Sequence, residues 1–141
     1  MLSGGLKMAI HQFNSILIVD DSGAVRGLVR KLLVRLGFKN VDEAADGEAA
    51  LAKLSETQFA LVISDWNMEP MSGKVLLEHV RANKQLANLP FIMMTADPSI
   101  DKLVQAKHAG VTCFIKKPFN AQDLQAKILQ ANTSNRLLTT A

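Results

Sequence analysis

Four short stretches carry the side chains with chemical potential: Asp20-Asp21, Asp65 with Trp66-Asn67 after it, Thr95, and Lys116-Lys117-Pro118. Each follows a short apolar run, namely Ile16 to Val19, Leu61 to Ser64, Phe91 to Met94 and Cys113 to Ile115. Brought together they supply three carboxylates, one hydroxyl and one ammonium. Carboxylates a few ångströms apart repel one another, so protons or a cation must offset them. Oxygen donors with no His or Cys beside them suit Mg²⁺, which binds through a few carboxylates and keeps waters for a phosphate-bearing partner. A carboxylate in that setting can attack phosphorus, while the metal, an ammonium and a hydroxyl hold the transferred oxygens. The implied reaction class is phosphoryl transfer to an aspartate, Asp65.

Each stretch also has a plainer reading. Asp20-Asp21-Ser22 alone is a helix N-cap with helpful negative charge in the first turn. Thr95 alone is a strand-end hydroxyl, Lys117 a solvated charge and Pro118 a helix-start residue. Asp65 resists this treatment. It follows Leu61-Val62-Ile63-Ser64 directly, where an ionised carboxylate is expensive unless paired or metal-bound. All of these groups, in this order at successive segment ends, favour the joint functional reading.

The elements that must position them are short apolar strands: Ile16 to Val19, Val41 to Ala44, Phe59 to Ile63, Phe91 to Met94 and Cys113 to Ile115. Four are continuous rather than alternating, the pattern of parallel strands covered on both faces. Helix-period segments separate them. The clearest carries Val25, Leu28, Val29, Leu32, Leu33 and Leu36 and stops at Gly37, where a left-handed cap is wanted. Further helices are expected over 47–54, 73–81, 99–109 and 121–131. The predicted fold is a doubly wound open parallel α/β sheet of five βα units. Ligands bind such sheets at the strands' carboxyl ends. Strand two ends in nothing reactive, which fits a strand order 2-1-3-4-5 with that strand at the edge.

The chain has 141 residues, the size of one ordinary domain, with 48% hydrophobic and 21% charged residues, so a sizeable core is possible and disorder is excluded. No apolar run approaches the roughly 20 residues of a membrane helix. Residues 1–14 hold one lysine and no sustained apolar stretch, so they read as a loose leader rather than a secretory signal. The expectation is a cytoplasmic domain over 15–131 with a short tail, 132–141. Cys113, the only cysteine, excludes an internal disulfide and reads as a small buried hydrophobe. The net charge of +3 divides unevenly: residues 1–70 hold 7 Lys/Arg against 9 Asp/Glu, and residues 71–141 hold 9 against 4. The basic excess is dispersed, without interleaved aromatics, so neither nucleic acid nor membrane is an expected partner.

Over residues 15–130 the sequence resembles the response-regulator receiver family, in the form of a stand-alone, CheY-like chemotaxis regulator. The resemblance rests on Ile16-Leu17-Ile18-Val19-Asp20-Asp21, Ser64-Asp65-Trp66-Asn67-Met68, Met94-Thr95-Ala96 and Lys117-Pro118-Phe119, with Gly37-Phe38 and Ala45-Asp46-Gly47 between. It implies the flavodoxin-like fold, with Asp65 as phosphoacceptor and a histidine kinase phosphohistidine as donor. Asp21, Asp65 and the Asn67 carbonyl would ligate Mg²⁺, Asp20 acting through a metal-bound water. Lys117 would pair with the phosphoryl oxygens. Thr95 would move to hydrogen-bond the phosphoryl group, and Phe114, at the switch-aromatic position, would swing inward behind it. Asn67 and Asp97 stand at positions that tune phosphoryl lifetime in the family.

The same resemblance implies a monomer that catalyses only its own phosphorylation and dephosphorylation and signals to a protein target. The target's surface would be the face made by the helices at 99–109 and 121–131 and the strand between them. There Ser99 and Ile100 replace lysines of a flagellar member, Lys116 replaces an apolar residue and Phe114 a tyrosine. Glu69 stands where the family commonly has proline, with Pro70 after it. Three other readings fare worse. A haloacid-dehalogenase-like phosphatase wants Asp-x-Asp after strand one. A flavin carrier would have its phosphate repelled by Asp20-Asp21, and intact Asp21, Asp65, Thr95 and Lys117 argue against a pseudo-receiver scaffold.

Overall fold

The structure is a computed structural model and describes residues 15–140, with side chains to Thr133; the leader, 1–14, lies outside the described residues. Five strands alternate with five helices: β1 (Ser15–Val19), α1 (Gly23–Arg35), β2 (Asn40–Ala44), α2 (Gly47–Glu56), β3 (Leu61–Asp65), α3 (Gly73–Ala82), β4 (Phe91–Thr95), α4 (Ile100–Ala109), β5 (Cys113–Lys116) and α5 (Ala121–Thr140). The strands form one parallel sheet in the order β2-β1-β3-β4-β5, as the sequence predicts.

The alternation of side chains along each strand divides the core. Ile16 and Ile18 point to the face covered by Val29, Leu32 and Leu33 of α1 and Leu124 and Ile128 of α5. Leu17 and Val19 point to the other face, beneath Ala50 and Leu54 of α2, Leu76, Leu77 and Val80 of α3, and Ala106 of α4. Both faces are therefore dry, which is why the strands read as apolar runs. Burying each such Leu or Ile contributes about 1.5–3 kcal/mol.

Local signals set the helix ends. Ser22, Asp46, Ser72 and Ser99 each accept a hydrogen bond from the backbone N–H three residues on, capping α1 to α4. Gly37, at φ 103°, closes α1: its N–H donates to the Val34 carbonyl and that of Phe38 to the Leu33 carbonyl, while buried Phe38 anchors the turn. Asn120 and Asp123 exchange backbone-to-side-chain hydrogen bonds at the start of α5.

Two boundaries differ from the sequence expectation. Strand three, expected over 59–63, runs Leu61–Asp65, because Ile16 pairs with Leu61 and Met94 with Asp65. Phe59 packs into the core ahead of the ladder. The last helix, expected to stop at 131, continues to Thr140, since no Gly or Pro after Pro118 interrupts it. Cys113 is buried among core residues, and that burial pushes its thiol up to about 12. No described helix is long and apolar enough to cross a membrane.

Candidate functional site

The register of the sheet collects the reactive groups at one edge. β1 delivers Asp20 and Asp21 just past its last residue, β3 ends on Asp65, β4 on Thr95 and β5 on Lys116. Asp65 pairs with Met94, and Thr95 with Lys116, so the ends of β3, β4 and β5 lie side by side. Hydrogen bonds continue past the strands, from the Trp66 N–H to the Met94 carbonyl at 3.0 Å and from the Lys117 N–H to the Thr95 carbonyl at 2.8 Å. The groups predicted from sequence thus meet.

Carboxylate oxygens of Asp20, Asp21 and Asp65 lie within 4.8 Å of one another. Asp20 and Asp65 are buried and Asp21 is exposed. Lys117 Nζ bridges two of them, 2.8 Å from Asp65 Oδ1 and 3.2 Å from Asp20 Oδ2. Burial raises the Asp65 carboxyl above the usual carboxylate range and the Asp20 charge adds to this, while the Lys117 hydrogen bond opposes it. Burial disfavours the Lys117 charge, yet its contacts with Asp65 and Asp20 hold its ammonium above the usual lysine value. Three carboxylates against one ammonium leave two negative charges in an all-oxygen donor set. A hard divalent cation fits that charge and chemistry.

The remaining predicted residues lie on β4, on β5 and in the loops that follow β3 and β4. The Thr95 hydroxyl is buried and engaged with the backbone of Asp97, accepting from its N–H at 3.1 Å and donating to its carbonyl at 3.2 Å. Asp97 is exposed. Asn67 is exposed at the start of the β3–α3 loop. Phe114 is half-buried on β5, its ring centroid 6.2 Å from that of Trp66.

Sequence reasoning missed several supporting residues. The Arg26 guanidinium donates to the Asp20 carbonyl at 2.6 Å and to Glu43 Oε1 at 2.9 Å, and Arg30 holds Glu43 Oε2 at 2.7 Å. This ties α1 and edge strand β2 to the backbone of the acidic cluster. Gly73 lies so close to Asp65 that a Cβ there would collide with the Asp65 carbonyl oxygen and meet Met93 Sδ at 2.9 Å. A glycine at a helix start is the one signal that could have found this close backbone approach. Lys102 of α4 places its ammonium 5.6 Å from the Trp66 ring.

The family model for the response regulator receiver domain matches residues 16–129. The chain belongs to that family. It is 44% identical over 123 residues to chemotaxis protein CheY-3 of Vibrio cholerae, covering 87% of this chain and 95% of that protein. It is 45% identical over 113 residues to chemotaxis protein CheY of Pseudomonas aeruginosa, covering 80% and 91%. The crystal structure of Vibrio cholerae chemotaxis protein CheY4 superimposes with a TM-score of 0.80 at 35% identity, covering 84% of this chain and 98% of that one. Receivers are signalling domains that generally bind Mg²⁺ at an acidic pocket and act between histidine kinases and downstream targets; in this chain Asp20, Asp21 and Asp65 form an acidic cluster.

Proposed function

We propose that this receiver is a phospho-switch of chemotaxis signalling, phosphorylated on Asp65 by a histidine kinase and read by a protein target. The observation that carries the reading is the Lys117 ammonium bridging Asp65 and Asp20 beside Asp21. Asp21, Asp65 and the Asn67 carbonyl would hold Mg²⁺, with Asp20 behind a water; the ion supplies positive charge that offsets the carboxylates and the phosphoryl oxygens.

In the transfer, an Asp65 carboxylate oxygen bonds to phosphorus as the P–N bond of a phosphohistidine breaks and the imidazole nitrogen keeps the electron pair. Lys117, already at Asp65, then pairs with a phosphoryl oxygen. Thr95 turns its hydroxyl proton from the neutral Asp97 carbonyl to a charge-assisted hydrogen bond with the phosphoryl group, which favours the switched state. Thr95 retreats from β5, and Phe114 follows into the space beside it.

The output surface in this reading is the α4–β5–α5 face. Ile100 is 81% exposed there and Val104 49%, and a cavity of about 520 Å³ is lined by Pro98, Leu103 and Phe114 together with Lys116 and Lys127, whose two charges outnumber that of Asp123. Apolar anchors flanked by lysines suit an amphipathic, acidic segment of a protein target. The test is phosphotransfer from a chemotaxis histidine kinase of the same organism. Label passing from kinase to wild type but not to Asp65→Asn supports the reading; label retained by Asp65→Asn overturns it.

A further inference from the structure

Beside the acidic cluster lies an open cleft of about 330 Å³, lined by Asp21 and Asn67 and also by Glu69, which the reaction above gives no role. Asp21 and Trp66 both line it; a carboxylate oxygen of Asp21 lies within 4.8 Å of one of Asp65, and Trp66 follows Asp65 directly in the chain, so the cleft adjoins the acceptor. Its rim carries Asn67 and Glu69, both exposed, while Ser72 is engaged as the cap of α3 and Met68 is buried. Among the described residues no Lys, Arg or His forms an ion pair with Glu69. In an in-line transfer the leaving group departs from phosphorus on the side away from the attacking oxygen, towards solvent. A leaving group that departs through this cleft passes the Glu69 carboxylate.

We propose that Glu69 sets the phosphodonor preference of Asp65, favouring donors that leave from a protonated nitrogen and disfavouring donors that leave as an anion. The inference rests on Asp65 being the acceptor. In phosphoramidate the nitrogen is protonated; the Asp65 oxygen–phosphorus bond forms, the P–N bond breaks, and nitrogen keeps the pair and departs as ammonia. A phosphohistidine protonated on its other ring nitrogen departs in the same way, as neutral imidazole. In acetyl phosphate the P–O bond breaks and acetate carries the pair away as an anion. The Glu69 carboxylate attracts the partial positive charge that the first two retain at the transition state and repels the negative charge that the third develops. An uncharged or proline residue at this position would discriminate less.

The test compares initial rates of phosphorylation by acetyl phosphate and by phosphoramidate for wild type, Glu69→Gln and Glu69→Lys. Each is followed by intact mass at a Mg²⁺ concentration saturating for that variant. Glu69 is exposed, so all three chains should fold alike. We expect Glu69→Gln to shift the rate ratio towards acetyl phosphate by about threefold, the scale of one solvent-exposed charge interaction. Glu69→Lys should shift it further, and both shifts should shrink at high ionic strength. Equal ratios in the three proteins, or shifts insensitive to salt, would overturn the proposal. Asp65→Asn is run alongside: labelling of that variant overturns the acceptor assignment itself, whatever the ratios.

Discussion

Lys117 Nζ stands 2.8 Å from Asp65 Oδ1 and 3.2 Å from Asp20 Oδ2, so one ammonium from the end of β5 holds carboxylates from β3 and β1. The contact joins strands at the middle and the edge of the sheet, and it lies where a phosphoryl oxygen would need a cation. Lys117→Ala leaves two buried carboxylates facing each other without that ammonium. Phosphorylation of the alanine variant, or its consequence for target binding, should fail, and both are measured by labelling and by titration of the target. Full labelling with an intact binding response in Lys117→Ala would contradict the role given to this residue.

Thr95 separates binding of phosphate from signalling. Its hydroxyl now donates one neutral hydrogen bond, to the Asp97 carbonyl, worth about 0.5–1.5 kcal/mol, and turning that single donor to a charged phosphoryl oxygen gives a bond worth about 1.5–3 kcal/mol. The difference, roughly 1 kcal/mol, corresponds to about a fivefold shift in population. Thr95→Ala should still be labelled on Asp65, but its gain in target affinity on phosphorylation should fall about fivefold. An undiminished gain would remove Thr95 from the switch.

Gly73 supports the site through the backbone. Adding a methyl group drives it into the Asp65 carbonyl, which cannot swing away as a side-chain end would. Gly73→Ala should cost about 1–3 kcal/mol of stability, read from denaturant midpoints, and slow labelling of Asp65 because the displaced carbonyl belongs to the acceptor. A variant as stable as wild type would show that the contact is relieved elsewhere.

The strand order and the cluster of Asp20, Asp21, Asp65, Thr95 and Lys117 were legible because each group follows an apolar run at the end of a parallel strand. Gly37 announced its helix end for the same kind of local reason. Arg26 and Glu43 were not legible. Arginine four residues into a helix and glutamate on an edge strand are ordinary surface choices, and only the pairing of Ile18 with Glu43 brings the glutamate to the end of β1, where Arg26 reaches both it and the Asp20 carbonyl. Phe59 misled because a core residue before a strand has the same apolar signature as one within it. The length of α5 was hidden by Asn132, Thr133, Ser134 and Asn135, weak helix formers that nevertheless lack the stereochemistry to stop a helix.

Glu43 gives an acid-side prediction. The Arg30 hydrogen bond, with Arg26 beside it, holds its carboxyl below the ordinary value of 4.5 despite partial burial. A carboxyl depressed in the fold contributes stability above its unfolded value, and that contribution disappears as pH falls through the folded one. Glu43→Gln should therefore be less stable than wild type at pH 7, by about 1 kcal/mol or less for so accessible an ion pair, and the gap should narrow as pH falls below the ordinary value of 4.5 and close through the lower folded one. A gap constant with pH would assign the loss to packing.

The output face is tested by Ile100→Asp. Ile100 is 81% exposed at the start of α4, beside Ser99 and far from the carboxylates in sequence, so labelling should be unchanged while binding of the phosphorylated protein to its target falls at least tenfold. Equal binding would move the output surface elsewhere on the domain.

The most direct measurement is the mass of the protein after incubation with Mg²⁺ and a small phosphodonor, with Trp66 fluorescence followed in parallel because that ring adjoins the acceptor. Wild type should gain one phosphoryl group, mapped to Asp65, and its fluorescence should change first with Mg²⁺ and again with the donor. Asp65→Asn should gain none, and Asp21→Asn should lose the metal-dependent change. A phosphoryl group found on Asp65→Asn, or wild type left unmodified at saturating Mg²⁺ and donor, would contradict the account.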